Sequence, residues 1–252
     1  MVDDWQSLTE ELDCWDKNGL CATFWWRDDD ATTPSPNLHR MLDIAEQHGA
    51  PLALAVIPSL AKPELAELLN THMNVDVLQH GFAHTNHAPP DEKKSEFGQH
   101  RQIETVCHEL SSGQHALKIF DRAHPILVPP WNRIAPPLLD ALAHVGFKGI
   151  STYAARGAPY AASGIFTINT HVDIIDWHGT RGFVGTNAAV ALAVEHLKAK
   201  RNRNADTTEP TGLLSHHLVH DEACWDFIET FLHHLKNHGA ARMINVMEAW
   251  PT

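Results

Sequence analysis

Apolar runs of strand length alternate with stretches of helical spacing along the chain, and many of the runs end in polar residues. Trp5, Leu8, Leu12 and Trp15 recur at helical intervals across 5–18, and Asn18-Gly19 supplies a stop. An aromatic-rich run at 21–27 predicts a strand and leads into three acids, Asp28, Asp29 and Asp30. Asn37 can cap a helix running through His48, which Gly49 ends. Residues 51–58 are continuously apolar, as expected of a strand buried on both faces. Leu65, Leu68 and Leu69 give 62–72 helical spacing, and 75–78 reads as a third strand opening into Gln79 to His87.

In the second half, 88–98 reads as an exposed loop, 99–121 as a long helix and 125–128 as a fourth strand that opens into Pro129-Pro130-Trp131-Asn132-Arg133. A helix over 136–145 stops at Gly146, and a short strand follows at 147–151. Small residues make 153–164 a loop. Residues 165–168 and 172–177 are strand-like, the second equally readable as a strand end plus loop. A helix over 187–200 carries basic residues in its last turn, a polar segment covers 201–210, and a strand at 212–220 precedes a helix at 222–237 and a closing strand at 243–246. Strands and helices alternating in this way predict an α/β fold with a mainly parallel sheet. Six to eight such units in 252 residues suit one barrel domain spanning 1–252.

Composition narrows the chemistry. A formal net charge of -12 argues against nucleic acid or an anionic membrane as partner. The four cysteines, Cys14, Cys21, Cys107 and Cys224, have no paired spacing, which disfavours a thiolate zinc site and suits a reducing compartment. No apolar stretch reaches the ~20 residues of a membrane span, and Met1 to Trp5 is acidic with no apolar segment behind it, so the expected location is cytoplasmic. Twenty histidines are many, and neutral imidazole is a common metal ligand.

The polar groups that follow the strands are Arg27 to Asp30, His80 to His87, Trp131 to Arg133, Asp173 with Asp176, and His216 with His217. In a parallel barrel all strand C-termini share one face, so these groups converge although they are distant in sequence. His80 and His84, four apart, would lie side by side on one helical turn, and one carboxylate would complete a two-His, one-Asp metal site with open positions.

These motifs, in this order, resemble the polysaccharide deacetylase (NodB-homology) superfamily, carbohydrate esterase family 4. They are Asp29-Asp30-Ala31, His80-Gly81-Phe82-Ala83-His84, Val128-Pro129-Pro130-Trp131-Asn132, Asp173-Ile174-Ile175-Asp176-Trp177 and Leu214-Ser215-His216. The resemblance spans residues about 21–220 and implies a distorted (β/α)7 barrel and a metal-dependent hydrolase that removes acyl groups from N-acylated carbohydrates or related amides. It implies Asp30, His80 and His84 as ligands of one divalent ion, zinc by default with cobalt, nickel or manganese as alternatives, Asp29 as general base and His216 as general acid. Asp176 would orient that histidine, and Trp131 would form part of the substrate wall. Three points stay open. With three aspartates the pair could be Asp28–Asp29, although the small Ala31 favours Asp29–Asp30. His217 could replace His216. The family's arginine before the Pro-aromatic motif is missing, since that region reads Ile126-Leu127-Val128, and Arg27 or Arg133 would have to replace it. The competing readings are a hydrolase of a small non-sugar or cyclic amide, and an inactive carbohydrate-binding or regulatory barrel. The oligomeric state is not legible.

Overall fold

A computed structural model describes residues 5–250; the acidic segment 1–4 considered above lies outside them. The elements run α1 (Gln6–Lys17), β1 (Ala22–Ala31), α2 (Pro36–His48), β2 (Leu52–Val56), α3 (Pro63–Leu69), β3 (Val75–His80), α4 (Ile103–Ala116), β4 (Ala123–Val128), α5 (Pro136–Val145) and β5 (Gly149–Ile150). Then come β6 (Tyr160–Ala162), β7 (Ile165–Thr167), β8 (Val172–Asp173), α6 (Thr186–Arg201), β9 (Thr211–Ser215), α7 (Glu222–Asn237), β10 (Ala241–Met243) and α8 (Val246–Ala249).

The strands form one sheet in the order β6-β7-β5-β4-β3-β2-β1-β9-β8, with β10 beside the first half of β1. All its pairs are parallel except β6 with β7. The sheet is not closed as an unbroken ladder. Its ends are joined by one continuous segment, whose first part, β7, pairs with β5 and whose last part, β8, pairs with β9. This is the distorted barrel expected of the motifs.

Alternation along β1 sorts side chains between two cores. Phe24 and Trp26 face outward into the layer beneath α1, α2, α6 and α7, with Leu52, Leu54, Val56, Val75 and Val77 of the neighbouring strands. Trp25 faces the barrel interior with Ala53, Ala55, Leu78, Ile126, Val128 and Trp250. Trp25 meets Trp250 edge-on, 5.3 Å between ring centroids, and fills the lower barrel. Gly212 of β9 leaves the room this needs, because a Cβ there would collide with the Trp25 indole and the backbone of 169–170.

Several boundaries differ from expectation for local reasons. The first strand runs on to Ala31, so all three aspartates belong to it. The cap of α2 is Ser35, whose hydroxyl accepts the Leu38 N–H, with Pro36 at the first helical position; Asn37 instead donates to the His217 carbonyl. Residues 99–102 are not helical, and after Ala116 the chain tightens into a single turn at 117–119. The late strand stops at Ser215, because His217–Val219 form a helical turn. Asn245 caps α8 through a reciprocal capping box with Glu248, which turns the expected strand at 243–246 into a helix start. Among the described residues, no helix is long and apolar enough to cross a membrane.

Candidate active site

Two irregularities bring the predicted ligands together. The first is a bulge in β1: Asp28 pairs with Leu54 and Ala31 with Val56, so three steps on one strand match two on the other. Asp30 sits in it at φ 75. Alternation alone would aim Asp29 inward and Asp28 and Asp30 outward; the extra residue re-aims Asp30 to the site. The second lies after His80, which ends β3. Gly81 and His84 adopt φ 59 and 54, so the 80–84 segment is an irregular turn and not the helical turn expected from its spacing. The left-handed backbone, easy for Gly81, breaks any helix there and swings His84 back over the strand end.

As a result His80 Nε2 and His84 Nε2 lie 3.1 and 3.3 Å from Asp30 Oδ1. The three donor atoms fall within 4.8 Å of one another. His80 is buried, and its Nδ1 is 2.9 Å from the Val128 carbonyl. Carrying the proton there leaves the Nε2 lone pair aimed at the site, which is how metal-ligating histidines are oriented. Burial works to raise the Asp30 carboxyl, but hydrogen bonding and charge from His80, with His216 and His84 adding, bring it below the carboxylate range. Burial works to lower His80, and Asp29 and Asp30 outweigh it, so its net shift is upward. Burial and then His80 lower His84. Two imidazoles and a carboxylate that reach one point and leave one side free make a donor set suited to a divalent transition metal.

Asp29, buried beside this cluster, is gripped by Arg27 two residues earlier on the same face of β1. Arg27 Nε donates to Asp29 Oδ1 at 2.8 Å and Nη2 to Oδ2 at 3.0 Å. The fork also donates to Ser151 Oγ at 2.7 Å and Asn132 Oδ1 at 2.8 Å. Arg27 has no exposed surface, so its charge is met by these partners and the Thr152 carbonyl at 3.3 Å. Arg133 is elsewhere: its guanidinium donates to the Lys94 carbonyl, 2.8 Å away. Of the two arginines, only Arg27 pairs with Asp29.

Asp28 faces outward and pairs with His217. His217 Nδ1 is 2.5 Å from Asp28 Oδ1, while the His217 N–H and Ser215 hydroxyl donate to Oδ2. Both side chains are fully buried. Burial works to raise Asp28 and to lower His217, but each is overturned by the partner, leaving the acid lowered and the imidazole raised. Asp28 and His217 are therefore spent on a buried ion pair on the outer face, while His216 points inward with Nε2 3.9 Å from Asp29 Oδ2.

Asp176 does not approach His216. It accepts the N–H groups of Gly179 and Thr180 and shapes its own loop. A nearer neighbour is Asp173, whose carboxyl burial raises above its usual range against the lowering effect of His216. Trp177 ties the two together, donating to Asp173 Oδ2 at 2.9 Å and standing edge-on to the His216 ring at 4.7 Å. Trp131, at φ 56, lies against His84 with centroids 4.4 Å apart. Ser151 carries no signal in the sequence, and Asn132 stands in a quoted motif without a role of its own. Asp173 and Trp177 stood within another quoted motif, where only Asp176 had been given a role.

A second group, His171, His196 and Glu209, is buried and also has ligand-type atoms close together. Its geometry opposes a metal. The two rings stack at 3.5 Å and 16°, so their in-plane lone pairs run side by side and do not converge. His171 Nδ1 accepts the Gly212 N–H, which leaves its Nε2 bearing hydrogen 3.5 Å from Glu209. Burial first, then the neighbouring charges, lower His196 to about 2, so it stays neutral. The group is a buried polar plug beneath β8 and β9.

No protein-family model matches the chain, and no curated protein matches it in sequence. Solved structures do share its fold. A Mycobacterium smegmatis protein assigned as a polysaccharide deacetylase superposes with a TM-score of 0.70 at 16% identity, covering 91% of this chain and 89% of its own. A family 4 acetyl xylan esterase from Clostridium thermocellum, solved with a cobalt ion, gives 0.58 at 12% identity, covering 90% and 89%. A family 4 pseudoenzyme, solved as a mutant with restored activity, gives 0.58 at 15%, covering 91% and 68%. The chain thus has the fold of the family 4 carbohydrate esterases, as its motifs implied.

Proposed function

We propose that this protein is a metal-dependent hydrolase that removes an acyl group from an N-acylated carbohydrate or related amide. The observation that carries the reading is the convergence of Asp30, His80 and His84 on one point, with Asp29 beside them held in a bidentate arginine grip. A family 4 esterase of the same fold was solved with cobalt and another with acetate, which supports a divalent ion and an acyl product here.

Asp30, His80 and His84 would hold the ion. When bound, it supplies Lewis-acid polarisation of the substrate carbonyl and acidifies an attacking water. Asp29 is the general base that takes the proton from that water. Arg27 donates to both oxygens of the Asp29 carboxylate and fixes its orientation. His216, across from Asp29, donates a proton to the departing nitrogen, and Asp173 and Trp177 hold its ring in place. Trp131, packed on His84, forms one wall against which the substrate lies.

Metal content of the wild type and His84→Ala, purified together, tests this. About one transition metal per chain in the wild type, lost in the variant, followed by hydrolysis of N-acetyl sugars, is the expected result. No metal after incubation with zinc or cobalt would overturn it. Full occupancy without turnover of any N-acyl compound would favour an inactive barrel, and a pseudoenzyme does occur among proteins of this fold.

A further inference from the structure

The turn that carries His84 lacks helical hydrogen bonds of its own, so its backbone needs another anchor. The Gly81 N–H reaches the Val128 carbonyl and the Phe82 carbonyl accepts the Ser59 N–H, while the next two amides are held by a single carboxylate. The Phe82 and Ala83 N–H groups both point at Glu96, donating to Oε2 at 3.2 Å and Oε1 at 2.8 Å. Glu96 comes from the polar stretch 88–98, read from the sequence as an exposed loop, yet it has no exposed surface. A buried carboxylate is costly unless its oxygens are met; successive backbone N–H groups form an anion-holding nest that meets them. The packing beneath the turn is tight. A Cβ on Gly81 would collide with Glu96 Oε2 and the Pro130 ring.

The far side of Glu96 is tied to rigid structure. The adjacent Phe97 is fully buried, and its carbonyl accepts the Ala135 N–H. Arg101 donates to the Glu96 carbonyl at 3.3 Å and makes a bidentate pair with Glu109 of α4. The carboxylate therefore links α4 and the loop before α5 to the turn between His80 and His84.

We propose that Glu96 is a positioning residue of the metal centre. Its carboxylate, seated in the nest of the 82–83 amides, holds the turn so that His84 reaches Asp30 and His80. This rests on the assignment of those three residues as metal ligands. Glu96 touches no ligand ring and acts only through the backbone, so replacing it loosens His84 and leaves the other two ligands in place.

The test is a cobalt(II) titration of metal-free wild type, Glu96→Gln, Glu96→Ala and Val106→Ala, following visible absorption and competition with a chelator, with thermal melting of each metal-free protein. Glutamine keeps the shape but turns an amide NH2 toward one backbone N–H. Val106→Ala, a buried change on α4, reports what general destabilisation does. The expected result is a loss of cobalt affinity of about 10- to 100-fold and an altered spectrum in Glu96→Gln, with Val106→Ala retaining wild-type affinity. Should Glu96→Ala fail to fold, Glu96→Gln decides alone. Wild-type affinity and spectrum in Glu96→Gln would overturn the role of Glu96 while leaving the metal site standing, as would an equal loss in Val106→Ala. No cobalt binding by the wild type would remove the ligand assignment itself, and the inference with it.

Discussion

In the proposed mechanism a single side chain, Arg27, holds Asp29 in place to serve as the base. It satisfies both oxygens of Asp29 and reaches Ser151 and Asn132 at once. Only a planar fork with several donors can do this; a lysine supplies a point charge and a shorter reach. Arg27→Lys is expected to keep its metal and lower kcat about 100-fold by letting the base drift. Metal content and turnover measured on the same preparation check it, and an undiminished kcat would take Arg27 out of the mechanism. The sequence placed Arg27 among the candidates but not above Arg133, because both lie within two residues of a motif. What separates them is direction: Arg27 shares its strand face with Asp29, while Arg133 follows two left-handed residues, Trp131 and Asn132, that turn the chain away. Glu96 carried no signal at all, since one more glutamate in a polar run looks solvated until the fold buries it.

Strand β1 feeds two faces at once, and its three aspartates divide between them. Its regular alternation sends Asp28 outward to His217 of the turn after β9 and Asp29 inward, and its bulge brings Asp30 inward as well. A strand read from sequence alternates strictly, and nothing in Asp28-Asp29-Asp30 marks an extra residue, so the bulge that brings Asp30 to the side of Asp29 was invisible. The Asp28–His217 pair joins β1 to the segment that aims His216, and its stability should depend on pH in a defined way. His217 is raised above its ordinary 6.5, so its contribution is complete below that value and is lost as pH rises through the folded-state pKa. Asp28 is lowered below 3.8, so its contribution is complete above that value and is lost as pH falls further. Asp28→Asn strips a buried cation of its partner and is expected to cost about 3–5 kcal/mol at pH 5–6, the difference from wild type shrinking toward pH 9. Denaturant unfolding of both proteins across that range measures it. A difference that stays constant with pH would mean that the pair is not ionised in the folded state.

For the whole molecule, the strand and helix rhythm was enough to foresee a parallel barrel with its chemistry on one rim, because buried strands and amphipathic helices differ in period. The gap in the sheet was not foreseeable, as it depends on how far the segment joining β7 and β8 departs from pairing between its two short ladders. The rim architecture has a thermodynamic consequence. Asp30 belongs to β1 and His80 to β3, with β2 between them, and His84 is tied through its turn to the loop before α4. A metal held by all three would cross-link elements that separate on unfolding, so binding and folding are coupled. At a free metal concentration 100 times Kd the gain is about 2.7 kcal/mol, or a rise in Tm of about 5–10 °C for a domain of this size. Melting the wild type and His84→Ala with cobalt, and again after chelation, separates this site from the other histidines. A rise that chelation reverses in the wild type and that is absent in the variant is the expected outcome. An equal rise in both would place the stabilising ion elsewhere and leave the rim without its metal, because the coupling requires all three ligands to engage together.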